Sequence, residues 1–141
     1  MIRRAVLRIL TPVVAAATAG CATIHRGAPS VEGDWSLISA TLAGRAMPPE
    51  AFRGPLRLSR GTYTFQNDTG EYVMRADARP AAMDVIGRRG PNAGRTLPAI
   101  YRLDGDTLTI CYDLSGTARP TEFRSDAGST LFLARYVRGA R

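Results

Sequence analysis

Residues that could carry out catalysis are few in this chain. It contains one histidine, His25, and two cysteines, Cys21 and Cys111. A Ser-His-Asp or Cys-His arrangement needs a histidine as general base, and His25 lies in a polar segment ahead of the expected domain. Zinc needs several nitrogen or sulfur ligands. One histidine and one domain cysteine are too few to supply them. The sequence therefore predicts no catalytic triad, no zinc centre and no cofactor.

Carboxylates could support two other kinds of chemistry. Glu71, Asp84 and Glu122 would allow paired-carboxylate hydrolysis if the fold brought two of them together. Asp104 and Asp106 would hold a calcium ion if backbone carbonyls completed its coordination shell. These two flank a glycine, so they are more simply explained as residues that stabilise a turn. Because carboxylates occur far more often at surfaces or in ion pairs, we expect neither an enzyme nor a metal site.

Tyrosines are the best candidates for a binding pocket, because each has an apolar ring and a polar tip. The candidate ligand-binding residues are Tyr63, Tyr72, Tyr101 and Tyr112. The alternative is that these side chains only bridge the core and the solvent.

The amino terminus has the layout of a secretory signal peptide. Residues 1–20 combine a basic start, an apolar run and small residues. The apolar run, residues 9–19, is shorter than the roughly 20 residues that span a bilayer. Thr18-Ala19-Gly20-Cys21 resembles a bacterial lipobox. This resemblance implies cleavage before Cys21 and lipidation of its thiol.

Lipidation of Cys21 would anchor the protein to a membrane, in the bacterial periplasm or cell envelope, and would leave Cys111 unpaired. The alternative is ordinary cleavage after Ala19, followed by secretion and a disulfide between the two cysteines. Residues 3–8 also resemble a twin-arginine signal, so the export route stays open.

The net charge of +7 comes from arginine alone, without lysine. These arginines are scattered among acidic residues, and the one local cluster, Arg88, Arg89 and Arg95, falls in a Gly/Pro-rich loop. Nucleic-acid binders usually concentrate basic residues and interleave them with stacking aromatics. We therefore expect that the protein binds no nucleic acid. A monomer is a separate expectation.

Short strands must position these residues, because turn residues separate segments of alternating apolar and polar character. The clearest hairpin joins residues 99–103 and 107–112. Further strands are expected at 35–42, 56–59, 62–66, 71–76, 81–86, 121–124 and 129–137, with a helical turn at 48–54 and a chain turn at 67–70. About eight strands suggest an antiparallel meander closed into a barrel, or a sandwich. The chain then divides into a signal peptide (1–20), a lipidated cysteine and tether (21–30), and one all-β domain (31–138).

Four short stretches of the expected domain form a recognisable series along the chain: Gly33-Asp34-Trp35, Gly94-Arg95-Thr96, the hairpin at 100–111, and Arg119-Pro120-Thr121-Glu122-Phe123. In this order they resemble a lipocalin-like domain family of unknown function that is abundant in planctomycete proteins. The resemblance covers roughly residues 31–138 and implies a lipocalin-like β-barrel. It transfers no catalytic residue.

The resemblance also implies a seal at one end of the barrel. In lipocalins the tryptophan of Gly-x-Trp closes one end beneath an arginine from the last strand. The matching residues here are Trp35 and Arg135, which would form a cation–π contact.

A barrel of about eight strands either fills its interior or keeps one small cavity. The first case predicts a protein-interaction or inhibitor domain at the cell envelope. The second predicts a binding module for a small apolar or amphipathic ligand, and this is the function we expect.

Overall fold

The computed structural model describes residues 29–139. The expected signal peptide, Cys21 and most of the expected tether therefore lie outside the described residues. Nine strands form one antiparallel sheet. They are β1 (Gly33–Leu42), β2 (Arg45–Met47), β3 (Leu56–Ser59), β4 (Thr62–Phe65), β5 (Asp68–Arg75), β6 (Ala82–Arg89), β7 (Thr96–Asp104), β8 (Thr107–Asp113) and β9 (Leu131–Arg138). Because β9 also pairs with β1, the sheet closes on itself.

The closed barrel has eight strands, since β2 only extends the end of β1 as a short hairpin partner. The predicted all-β fold and its antiparallel barrel are thereby confirmed. The predicted helical turn is confirmed as a 3-10 turn, Pro49–Ala51, which follows β2. Within the described residues, no helix has the length and apolarity needed to cross a lipid bilayer.

Alternation along the strands fills one half of the barrel. On β8, Leu108 and Ile110 point into the interior and join a core cluster that includes Trp35 and Tyr136. Trp35 is completely buried, and its indole nitrogen donates a hydrogen bond to the carbonyl of Val31 at 2.7 Å. The barrel is therefore closed at the end where β1 begins.

The cation over Trp35 is Arg138, and the expectation for Arg135 was wrong. The register between β1 and β9 sets Trp35 directly opposite Arg138, so the two side chains share a face. The Arg138 guanidinium carbon lies 4.3 Å from the centre of the indole ring. Arg135 pairs with Ser39, between the buried residues Ala134 and Tyr136, so it projects outward and is exposed.

Arg138 also fastens the start of the domain to this sealed end. Its two terminal nitrogens donate to the carbonyls of Glu32, at 2.7 Å, and Ser30, at 3.1 Å. Its Nε donates to the Asp106 carboxylate at 3.3 Å. One guanidinium thus joins the last strand, the hairpin turn and the segment ahead of β1.

Residues 114–130 connect β8 to β9 and pack against the outside of the barrel; we call them the strap. No strand forms at 121–124, contrary to the prediction. The strap instead covers an outward-facing row of buried side chains, Ala82, Ile100 and Cys111, which are register partners on β6, β7 and β8. The Cys111 thiol donates to the carbonyl of Arg124 at 3.5 Å. Cys111 is therefore a buried cysteine of the outer wall that forms no disulfide within residues 29–139.

Two polar anchors hold the strap. Asp113 accepts hydrogen bonds from the backbone nitrogens of Ser115 and Ala118, at 3.0 and 2.8 Å, and from the hydroxyl of Thr130 at 2.6 Å. Arg119 donates to the Asp84 carboxylate at 2.6 Å. Burial alone would raise the pKa of Asp84, but hydrogen bonds from its arginine partners outweigh burial and lower it.

Candidate functional site

A cavity of about 240 Å³ opens at the end of the barrel opposite Trp35. Its wall is formed where β1, β4 and β8 end and where β3, β5, β7 and β9 begin. The lining residues are Leu42, Met47, Phe52, Leu56, Tyr63, Phe65, Asp68, Val85, Asn92, Leu97, Tyr112, Leu114, Phe132 and Tyr136. The interior is therefore packed at one end and hollow at the other.

Aromatic rings form one side of this cavity. Phe52 directly follows the 3-10 turn, and its ring lies 5.7 Å from that of Phe132 and 6.1 Å from that of Phe65. Phe132 in turn stacks on Tyr112 at 6.0 Å. The prolines that start the 3-10 turn thus place an aromatic side chain at the mouth, a position that the strand pattern alone did not predict.

The four predicted tyrosines are divided between the two ends of the barrel. Tyr63 and Tyr112 line the cavity. Tyr72 is part of the buried core, and Tyr101 borders a separate depression of about 530 Å³ near the sealed end. Only two of the candidate ligand-binding residues therefore share a site, together with Tyr136, which the sequence analysis did not single out.

The phenols remain neutral at physiological pH. Burial raises the pKa of Tyr136 to about 12. Burial and the neighbouring Tyr136 hydroxyl raise the pKa of Tyr112 well above 10. The cavity therefore offers hydroxyl groups and no phenolate.

A polar corner formed by Asp68, Asn92 and Tyr63 interrupts the apolar lining. The chain turn predicted at 67–70 lies instead at Gln66 and Asn67, because Asp68 is the first residue of β5 and pairs with Phe65. That position directs the carboxylate inward, and Asp68 is only 9% exposed. The Asn92 side-chain nitrogen donates to it at 2.6 Å.

Tyr63 carries an unsatisfied polar group into this corner. The residue is 5% exposed, and its hydroxyl is the one buried side-chain polar atom of the described residues without a hydrogen-bond partner. Burial raises its pKa most, and the charge of the Asp68 carboxylate and the approach of the hydroxyl to that carboxylate raise it further. Buried polar groups in native proteins are nearly always paired, so this hydroxyl is an exception that needs an explanation.

Gly70 makes this placement of Tyr63 possible. The two residues are cross-strand partners on β4 and β5, beside a register shift between Thr69 and Gly70. A Cβ atom at Gly70 would lie 2.0 Å from the carbonyl oxygen of Ile86 and 2.8 Å from the Tyr63 ring. No other residue type fits without moving the tyrosine or the neighbouring strand.

The loop that carries Asn92 is tightly folded. Gly87 exchanges backbone hydrogen bonds with Gly94 and Arg95, at 3.0 and 2.9 Å, which closes the loop above β6. A Cβ atom at Gly87 would lie 1.9 Å from the carbonyl oxygen of Asn92. This Gly/Pro-rich loop therefore places the Asn92 side chain in the cavity wall.

The carboxylates considered for hydrolysis are not brought together. Glu71 pairs with Arg88 at 2.8 Å, and Glu122 pairs with Arg124 at 3.1 Å. Asp84 is held beneath the strap, and none of the three lines the cavity. Within residues 29–139, no group of three or more histidine, cysteine or acidic side chains could hold a metal ion.

The polar groups of the cavity are three phenols, one amide and one carboxylate, which can donate and accept hydrogen bonds. Comparison of the chain with protein-family models, curated proteins and solved structures finds no match.

Proposed function

We propose that the protein is a binding module that holds a small apolar or amphipathic ligand at the open end of its barrel. The observation that carries this proposal is the half-filled interior: a mainly apolar cavity at one end, with a single corner of polar groups. Ligand sites commonly combine apolar walls with a few placed polar groups.

The size of the cavity limits the ligand. Drug-sized molecules occupy sites of roughly 300–1,000 Å³, whereas an engineered apolar cavity of about 150 Å³ binds benzene. At about 240 Å³, the cavity suits a molecule built on one ring or a short chain. The ligand that we propose is therefore small.

The proposal places the protein at the cell envelope, as a lipoprotein anchored through Cys21. The support is the signal-peptide layout of residues 1–20 and the lipobox-like ending at Cys21. A protein-interaction domain was the alternative, but the exposed large apolar side chains of residues 29–139 form no common patch. The exposed large apolar side chains of the described residues, Ile38 and Val73, lie on β1 and β5, which are not neighbours in the barrel.

Binding of toluene and benzyl alcohol tests this function. We expect both to bind weakly and to shift the NMR signals of residues at the mouth. Leu42→Trp should block the mouth and remove binding, because Leu42 lines the cavity. The control is Ile38→Trp, which adds the same ring to an exposed position of the same strand. Equal binding by both variants would contradict the proposal.

A further inference from the structure

We propose that the ligand carries a protonated amine, held by the Asp68 carboxylate and the Tyr63 hydroxyl. This inference rests on the proposed function and assigns a chemical class to the ligand of the same cavity.

The cavity contains one negative charge that no cationic side chain of residues 29–139 compensates. Asp68 is the one charged side chain among the residues that line it. Its hydrogen bonds come from Asn92, and no cationic side chain of residues 29–139 forms an ion pair with it. Buried carboxylates are normally paired with a cation, because desolvation of the charge is costly. An amide offers hydrogen bonds but no opposite charge, so a cationic ligand fits best.

The hydroxyl of Tyr63 also lacks a hydrogen-bond partner in this corner. Asp68 pairs with Phe65, two residues along β4 from Tyr63, which makes Tyr63 and Asp68 diagonal neighbours on the inward face. An ammonium group has three donors and no acceptor. Placed between the two residues, it would donate to the carboxylate and to the hydroxyl, so both buried groups gain partners. An anionic ligand would be repelled by Asp68.

The aromatic side of the cavity suits the rest of such a ligand. Phe52, Phe65 and Phe132 supply apolar surface for its body, and aromatic faces also attract cations. One basic side chain beside this corner, Arg95, donates to the Asn92 oxygen at 3.3 Å and is exposed. Water therefore screens its charge more strongly than it screens a charge inside the cavity.

Three probes of nearly equal shape test the inference: benzylamine, benzyl alcohol and benzoate. Each is titrated into the full chain, purified in detergent, and affinity is measured by NMR. We expect benzylamine to bind at least about tenfold more tightly than benzyl alcohol, and benzoate to bind most weakly.

Variants then assign the preference to particular residues. Asp68→Asn should bring benzylamine down to the affinity of benzyl alcohol, and Tyr63→Phe should weaken benzylamine by a smaller factor. The control is Glu71→Gln, which removes the same charge from an exposed position of β5 and should leave all three affinities unchanged.

The comparison of probes on the unaltered chain separates the two proposals, even if a variant fails to fold. Equal affinity for benzylamine and benzyl alcohol would overturn the amine assignment and leave the binding function in place. Failure of every probe, neutral ones included, would reject the binding function itself.

Discussion

Arg138 has more partners than any other arginine at the sealed end. Its guanidinium lies over Trp35, bonds two carbonyls ahead of β1 and meets Asp106 in the hairpin turn. Arg135, three residues earlier, has the same charge and an exposed position. A comparison of substitutions at Arg138 and Arg135 therefore separates the contribution of contacts to the free energy of unfolding from that of charge.

We predict that Trp35→Ala lowers the free energy of unfolding by about 3–5 kcal/mol, because a large buried ring leaves a cavity. Arg138→Ala should lower it by about 1–3 kcal/mol through lost stacking and hydrogen bonds. The matched control, Arg135→Ala, should stay within about 0.5 kcal/mol. Urea unfolding followed by circular dichroism measures all three.

The Trp35 and Arg138 substitutions should also be coupled. Contacting residues in double-mutant cycles interact by about 0.5–3 kcal/mol. Strict additivity, or equal losses for Arg138→Ala and Arg135→Ala, would show that the contact over the ring does not stabilise the fold.

Among the elements, the strap is the one whose attachment depends on few polar groups. Hydrogen bonds to Thr130, Ala118 and Ser115 hold the pKa of Asp113 well below its usual range, although burial opposes them. A depressed pKa means that the carboxylate stabilises the fold above its unfolded pKa, about 3.9. This stabilisation is lost as the pH falls through the lower, folded value.

We predict that Asp113→Asn destabilises the protein by about 2–4 kcal/mol at pH 7, since the charged hydrogen bonds are lost. The difference from the unaltered protein should shrink as the pH falls below about 4. Cys111 lies beneath the strap, so iodoacetamide should label it faster in the variant, as measured by mass spectrometry. Asp126→Asn, an exposed change within the strap, is the control. A pH-independent difference, or unchanged labelling, would contradict this account.

Local sequence patterns predicted most strands, but they did not predict where a strand begins with an irregular register. Alternation is a property of neighbouring residues, so it located the hairpin of β7 and β8. Asp68 was assigned to a turn because Asn67-Asp68-Thr69-Gly70 has the composition of one, whereas β5 begins there with a register shift. The inward direction of Asp68 depends on its pairing with Phe65, which is a contact between strands.

The difference between local patterns and contacts between strands also explains why the wrong arginine was assigned to the seal and why a strand was predicted within the strap. Arg135 and Arg138 are both basic residues of one apolar strand, and only the register with β1 decides which of them faces Trp35. Residues 121–124 have a strand-like composition, but Arg119 and Asp113 attach the strap to the outside of the barrel. The polar corner combines residues of three separate segments, Tyr63, Asp68 and Asn92. No pattern of neighbouring residues could therefore predict it.

At the scale of the whole molecule, the export hypothesis makes a separate prediction. Cys21→Ser should abolish metabolic lipid labelling and shift the protein from the membrane fraction to the soluble periplasmic fraction, because the thiol is the proposed acceptor. The control is Cys111→Ser, which should retain the label. A Cys21→Ser variant that keeps both its label and its membrane association would refute the lipobox assignment.

Arg138 also sets the direction from which the chain reaches the barrel. By binding the carbonyls of Ser30 and Glu32, it holds the incoming segment at the sealed end, while the cavity opens at the other. A lipid on Cys21 would then attach to the molecule through the segment that enters at the sealed end, away from the mouth. Under the proposed anchoring, the attachment point and the route of the ligand into the cavity would therefore lie at opposite ends of the barrel.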